Sequence, residues 1–301
     1  MTFTLSIAGL AIRVTEPENR PTVAWPLRPF ERFLADNATP PDITATVDVT
    51  ERLPDLPRAD VRFDAEAGLW TLFSASDGYV LECRDPLTLA PRSLAVISSD
   101  FRSLRIWTTS NGLPGTWSWA PMQVFNPMLE VAYVTLLGRR GGCLIHASGS
   151  VIDGCGYLFS GHSGAGKSTL AAMFADQGAV VLSDERLVLT RETDGYLMHG
   201  TPWVGSGQYA ANAAGPLTAL YTIAHGRHGH RLDNPSRGML LSQLLQQTFL
   251  PQWDREAMGG TLAFLEACLR ETSHGRLTFQ NDPSVVAFVR RTRPAGSMVA
   301  P

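Results

Sequence analysis

The sequence predicts a mixed α/β protein: a β-rich N-terminal domain, then an α/β domain built around a glycine-rich phosphate-binding loop. Three observations carry this prediction. The first 110 residues break into short alternating runs separated by Gly and Pro. From Cys143 onward, short apolar runs interleave with helical patterns. Between one such run and one such helix stands Gly161-His162-Ser163-Gly164-Ala165-Gly166-Lys167-Ser168, a full match to G-x-x-x-x-G-K-[ST]. The predicted division is 1–110, a β-rich domain; 111–125, a linker; and 126–301, the P-loop domain.

In chain order, Phe3, Leu5 and Ile7 alternate with polar neighbours, and the phase restarts after Gly9 at Leu10, Ile12 and Val14, which predicts a hairpin there. The proline-laden stretch 17–57 predicts irregular chain. Strands follow at Val61–Phe63, Leu69–Phe73 and Tyr79–Cys83. The Gly/Pro/Trp-rich 111–121 reads as linker, its Trp117 and Trp119 packing onto a domain. Asn126-Pro127 reads as a helix N-cap with Pro at the first helical position, and Gly138 as the stop. Leu144–Ala147 and Ser150–Ile152 read as two short strands, Tyr157–Ser160 as the strand entering the loop, and Thr169–Gln177 as the helix leaving it. Ala179–Leu182 is the next buried strand, taken to lie beside the loop strand. The stretches Met239–Phe249 and Thr261–Leu269 read as amphipathic helices with their apolar faces in a core.

Composition narrows the partners. A length of 301 residues suits roughly two domains of about 150. A net charge of −3 with interspersed signs is not the footprint of a nucleic-acid binder. No apolar run approaches the ~20 residues of a membrane span, and 1–13 lacks a basic signal-peptide start, so the expectation is a cytoplasmic protein without membrane or nucleic-acid partners. Cys83, Cys143, Cys155 and Cys268 are widely spaced and read as reduced thiols.

Of the 25 basic residues 24 are arginine, and the one lysine, Lys167, falls where the loop motif demands it. Arg is a planar fork and Lys a compact point charge on a flexible stem, so a phosphate-binding loop gives a reason for the exception. The glycines let successive N–H groups turn inward around a phosphate, and the helix N-terminus adds partial positive charge. Lys167 is placed to bridge β- and γ-phosphates and the Ser168 hydroxyl to ligate Mg²⁺; Thr169 continues the loop. Seventeen positions beyond Lys167 (184 − 167), Ser183-Asp184-Glu185-Arg186 follows an apolar strand. An acid there can handle Mg²⁺ or accept a proton, and Arg186 can attract phosphate or form an ion pair. No L-S-G-G-Q stands between loop and acid, which disfavours a transporter ATPase.

His146, the loop Gly161–Thr169 and Ser183-Asp184-Glu185-Arg186 together resemble the catalytic domain of bacterial HPr kinase/phosphorylase over roughly 126–215. The resemblance implies a P-loop kinase core of the phosphoenolpyruvate-carboxykinase-like type, ATP and Mg²⁺ as cofactors, and a homo-oligomer. It implies that Asp184 serves as base toward the acceptor hydroxyl with His146 assisting, that Lys167 stabilises the phosphoryl charge, and that Ser168, Asp184 and Glu185 hold the metal. The chain departs from the family at Asp184-Glu185, where HPr kinases carry Asp-Asp, at Thr169, where they often carry Glu, and at Leu197-Met198-His199-Gly200, which replaces an acidic-x-Arg-Gly segment. With His199-Gly200-Thr201-Pro202-Trp203 downstream, the layout is similar to a divergent subgroup, the HPr-kinase-like proteins of ribosomal-peptide gene clusters. Some of these resemble kinases of a serine in a lasso-peptide precursor.

The expected function is therefore an ATP-dependent kinase whose acceptor is a serine of a peptide or protein. The alternatives are a small-molecule kinase, for instance of free serine, and a nucleotide-binding regulatory module without transfer. His199–Trp203 is expected on the acceptor side. His225, His228 and His230 read as a basic loop rather than a metal site, and His162 as incidental to the loop.

Overall fold

The computed structural model describes residues 2–16, 29–65, 68–110 and 121–292. Trp117, Trp119 and most of the predicted linker lie outside the described residues. The chain is mixed α/β with two sheets and forms two compact units: residues 1–137 with 251–258, and 138–250 with 259–301.

The first unit carries a nine-stranded sheet. Its strands are β1 (Thr2–Ile7), β2 (Leu10–Thr15), β3 (Leu34–Ala35), β4 (Ile43–Thr50), β5 (Val61–Asp64), β6 (Trp70–Ala75), β7 (Gly78–Arg84), β8 (Pro91–Ser98) and β9 (Ser103–Thr109). Their spatial order is β3-β1-β2-β4-β9-β8-β7-β6-β5. The β1–β2 hairpin forms where the phase shift predicts it, because Ala8 (φ 49°) and Gly9 (φ 75°) both adopt the left-handed conformation that a two-residue turn needs. The stretch 17–57 is not irregular throughout. Ile43, Ala45, Val47 and Val49 alternate inward along β4, a strict period of two that the surrounding prolines mask in the sequence.

The helical stretch after residue 121 begins with α1 (Pro121–Val124) and continues in α2 (Glu130–Arg139). Asn126 is extended (φ −129°, ψ 121°) at a kink where two helical stretches meet, the non-helical backbone expected of a residue that opens a helix at Pro127, and its side-chain N–H donates to Glu130, four residues on. The predicted stop moves: Gly138 lies inside the last turn, and Gly141 takes the left-handed conformation. This segment falls mainly in the first unit, so the division comes at Leu137/Gly138 rather than at residue 126. The cause is packing: Met128 Sδ lies 4.0 Å from Cys83 Sγ, and the buried Tyr133 hydroxyl donates to Ile7 O at 3.1 Å.

The second unit is built on β10 (Cys143–Ile152), β11 (Cys155–Ser160), β12 (Val180–Ser183), β13 (Arg186–Glu192), β14 (Gly195–His199), β15 (Ala214–His225), β16 (Arg231–Asp233) and β17 (Ser273–Phe279). The order is β11-β10-β13-β14-β15-β17-β16, and β11 also pairs with β15, closing a ring of five strands. The two strands expected over 144–152 are one, β10, whose register shifts at Gly149/Ser150. That strand pairs β13 with its first half and β12 with its second, so it stands between β12 and the loop strand β11, which the sequence reading placed side by side.

Strands β11, β15 and β17 run parallel and alternate their side chains between two cores. Phe159, Tyr221 and Leu277 pack with Leu170 and Phe174 of α3 (Lys167–Asp176) and with Val285, Val286 and Val289 of α6 (Ser284–Arg291). Leu158 and Leu220 pack on the opposite side with α4 (Arg237–Leu245) and α5 (Arg255–Glu271). Gly156 is required at the parallel contact: a Cβ there would stand 1.9 Å from Pro216 O. No described helix is long and apolar enough to cross a membrane. All four cysteines are free and buried.

Candidate active site

The loop Gly161–Gly166 joins β11 to α3. Gly164 (φ 80°) and Gly166 (φ 103°) supply the left-handed conformations that side chains resist, and a Cβ on Gly166 would also meet Phe279 at 2.6 Å. Gly166 is the N-cap of α3, whose first intrahelical bond runs from Leu170 N to Gly166 O at 2.9 Å. The amides of Lys167, Ser168 and Thr169 therefore lie in the first turn, where a helix leaves its donors unsatisfied and its dipole positive. Lys167 Nζ donates to Gly161 O (2.8 Å) and His162 O (3.2 Å), so its stem folds across the loop mouth. Burial pulls its pKa below the ordinary lysine value, and the charges of Glu185 and Asp184 resist that fall. His162 bonds through Nδ1 to Ser163 O at 2.7 Å, within the loop, and Ala165 is buried in the α3 core.

Asp184 and Glu185 occupy the bend between β12 and β13, and the two carboxylates take different partners. Ser183 shapes it by accepting from the amides of Glu185 (3.2 Å) and Arg186 (3.1 Å). Asp184 is fully buried and turned toward α3, where it accepts from Ser168 Oγ at 3.0 Å. The remaining acceptor positions take backbone N–H groups from Gly205 (3.0 Å), Gly207 (2.7 Å) and Tyr209 (3.3 Å). A buried carboxylate requires such donors, and four of them match its four lone-pair sites. Side chains on Gly205 or Gly207 would collide with it, at 2.8 and 2.7 Å from Oδ2.

Glu185 meets His146, with Oε1 3.2 Å from Nδ1. Both are partly exposed, at 31% and 22% of their side-chain surface, so this pair, unlike Asp184, faces solvent. Burial works against ionisation of Glu185, but the His146 hydrogen bond and the positive groups around it, Arg186 and Lys167 among them, bring its pKa below the ordinary value. His146 is fixed from behind: its amide donates to Gln247 O (2.7 Å) and its carbonyl accepts from Ser160 Oγ (3.3 Å). Arg186 pairs with His146 across β10 and β13, and its guanidinium lies over the rings of Phe249 (4.5 Å) and Trp203 (5.7 Å).

The fold thus brings Lys167, Ser168, Asp184, Glu185 and His146 to one end of the second unit, but the pairing differs from the expected one. His146 meets Glu185, and Asp184 meets Ser168. The sequence reading also missed the Gly205–Tyr209 amides, although Gly205-Ser206-Gly207 carries a signal in its two glycines, and it missed Phe249, which had none. His199 is bound within its sheet to Thr190 Oγ1 (2.8 Å), and Thr201 donates to Arg186 O (2.7 Å). His225 lies against Phe279, and His230 bonds Ser284. Among the described residues no group of three or more His, Cys, Asp or Glu is arranged to hold a metal. The Ser168 hydroxyl and the Asp184 carboxylate, 3.0 Å apart, are hard oxygen donors of the kind that suit Mg²⁺.

No protein-family model matches the chain, and no curated protein does. Among solved structures it is similar to the Hpr(Ser) kinase/phosphatase from Coxiella burnetii, at 15% identity and a TM-score of 0.29, over 50% of this chain and 90% of that one.

Proposed function

We propose that the chain is a Mg·ATP-dependent phosphotransferase that delivers the γ-phosphoryl group to a serine hydroxyl. The observation that carries this reading is the division of partners at the Asp184–Glu185 bend. One carboxylate meets the loop serine, and the next meets a partly exposed histidine. Phosphoryl transfer needs those two tasks, one at the metal and phosphates and one at the acceptor.

In this reading the loop amides and Lys167 hold the β- and γ-phosphates, and Lys167 exchanges its bonds to Gly161 and His162 carbonyls for phosphate oxygens. Ser168 and Asp184 would hold Mg²⁺ once the Ser168 hydroxyl gives up its bond to Asp184 and frees that acceptor site, and the metal would neutralise charge on the phosphates. Glu185 takes the proton of the acceptor hydroxyl as that oxygen bonds to the γ-phosphorus and the bond from phosphorus to the β–γ bridging oxygen breaks, releasing ADP. His146 orients Glu185, and Arg186, braced between two rings, adds positive charge beside it. The role of base thus passes from Asp184, which the family resemblance implies, to Glu185, because Asp184 is enclosed by donors. The rate comes mainly from positioning and electrostatics.

A peptide or protein is the carrier of the serine that the resemblance implies. A cavity of about 170 Å³ beside the loop favours a second reading, a free small-molecule acceptor. The deciding experiment is phosphate transfer from Mg·ATP, read by intact mass, to serine-containing peptides and to free serine. Transfer that Lys167→Ala and Glu185→Gln both abolish supports the reading; transfer at the wild-type rate by either variant refutes it.

A further inference from the structure

A row of polar side chains crosses the parallel strands next to the loop. Ser160 of β11, Thr222 of β15 and Arg276 of β17 are register partners, so they lie side by side on one face of the sheet. Above them α4 contributes Gln243, and the turn that follows the helix contributes Gln246 and Gln247. These six residues, with Gly161 and His162 at the start of the loop, line a cavity of about 170 Å³. Two residues back along β11 and β15, Leu158 and Leu220 turn the same face apolar and pack with Leu240 and Leu244 of α4, so the polar row begins where that core ends.

Two of its atoms are unpaired. Thr222, 7% exposed, has its hydroxyl buried with no hydrogen-bond partner among the described residues, and so does the Gln243 side-chain carbonyl. Buried polar groups are normally satisfied, so such orphans point to something that fills the space. The chamber also adjoins the catalytic pair, since Ser160 and Gln247 are the residues that bond the backbone of His146.

The contents can be read from the lining. The Gln243 carbonyl needs a donor, Thr222 can give or accept, and Arg276 brings a cation to the rim. The volume lies below the ~300 Å³ at which drug-sized pockets begin, which suits a small molecule better than a nucleoside. A zwitterionic hydroxy amino acid meets all of this: its ammonium on Gln243 and Thr222, its carboxylate on Arg276, and its hydroxyl toward the loop and Glu185. We propose that this chamber is the acceptor subsite and that it takes a free hydroxy amino acid, serine foremost. This rests on the phosphotransfer reading above and narrows its acceptor.

The test separates the two. Binding of free serine to the full chain is measured by calorimetry without nucleotide, beside N-acetylserine amide, which lacks both charges. Mg·ATP binding, melting temperature and phosphate transfer are followed in parallel. Serine binding with the amide silent, weakened at least tenfold by Thr222→Val and by Arg276→Ala while ATP binding and melting temperature hold, supports the proposal. If serine binds in this way but no phosphate is transferred, the chamber stands and the phosphotransfer reading falls. If peptides are phosphorylated while serine neither binds nor reacts, the phosphotransfer reading stands and the acceptor proposal is overturned. Serine binding that both variants leave unchanged also overturns it, and so does the absence of any serine binding.

Discussion

Glu185 Oε1 lies 3.2 Å from His146 Nδ1, while Asp184, one residue earlier, is enclosed by three backbone amides and the Ser168 hydroxyl. Adjacent carboxylates on one bend are thereby given different surroundings, one closed and one open to solvent.

That difference predicts different kinetic defects. Glu185→Gln removes the base and lowers kcat by about 10²- to 10⁴-fold, with little change in the KM for ATP. Asp184→Asn instead raises the Mg²⁺ concentration needed for half-maximal rate. Steady-state kinetics across a Mg²⁺ series check this; equal defects in both variants would merge the two roles.

The pH profile follows from the shifts of Glu185 and Lys167. Glu185 titrates below its ordinary 4.5, so its ionised, working form persists through neutral pH and the rate falls only as pH drops through that lowered value. Lys167 loses its proton below the ordinary 10.5, because burial disfavours the charge, so the rate declines on the alkaline side earlier than for an exposed lysine. Lys167→Arg, which cannot lose its proton in this range, should abolish the alkaline limb in whatever activity it retains.

Lys167 is the chain's one lysine, so an amine-acylating reagent has one side-chain target beside the terminal amine. Mg·ATP should protect that target, and peptide mapping of the acylated protein would show the protection. Acylation of Lys167 at the same rate with and without nucleotide would remove it from the phosphate site.

The enclosure of Asp184 depends on two glycines. Gly207→Ala places a methyl 2.7 Å from the Asp184 carboxylate, and Gly205→Ala one at 2.8 Å. Each should destabilise by about 1–3 kcal/mol, the usual cost of overpacking, and loosen the loop from Asp184. Melting temperature gives the first effect, and hydrogen exchange at the amides of 205–209 gives the second.

The Arg186 guanidinium lies over two ring faces. Phe249→Leu removes the nearer face, at 4.5 Å, and should cost about 0.5–2 kcal/mol and lower kcat more than it raises the KM for ATP. Equilibrium unfolding and steady-state kinetics on the same preparation check both.

The sequence by itself determined what local pattern can determine. The β1–β2 hairpin was legible because alternation and a left-handed turn are both written in adjacent residues. So was the strand–loop–helix around Lys167, whose glycines meet backbone demands at fixed spacing. The apolar faces of α4 and α5 were legible through their period. Strand β4 was missed because prolines on either side outweighed its alternation.

Only the tertiary structure decided which groups meet. The order of β10, β11 and β12, the insertion of Gly205–Tyr209 over Asp184, and the pairing of His146 with Glu185 are contacts between segments tens of residues apart. Neighbouring residues in a sequence share a backbone but not their partners. At a bend such as Asp184–Glu185 the partner of each side chain is set by which distant segments pack there, and no one-dimensional pattern records that.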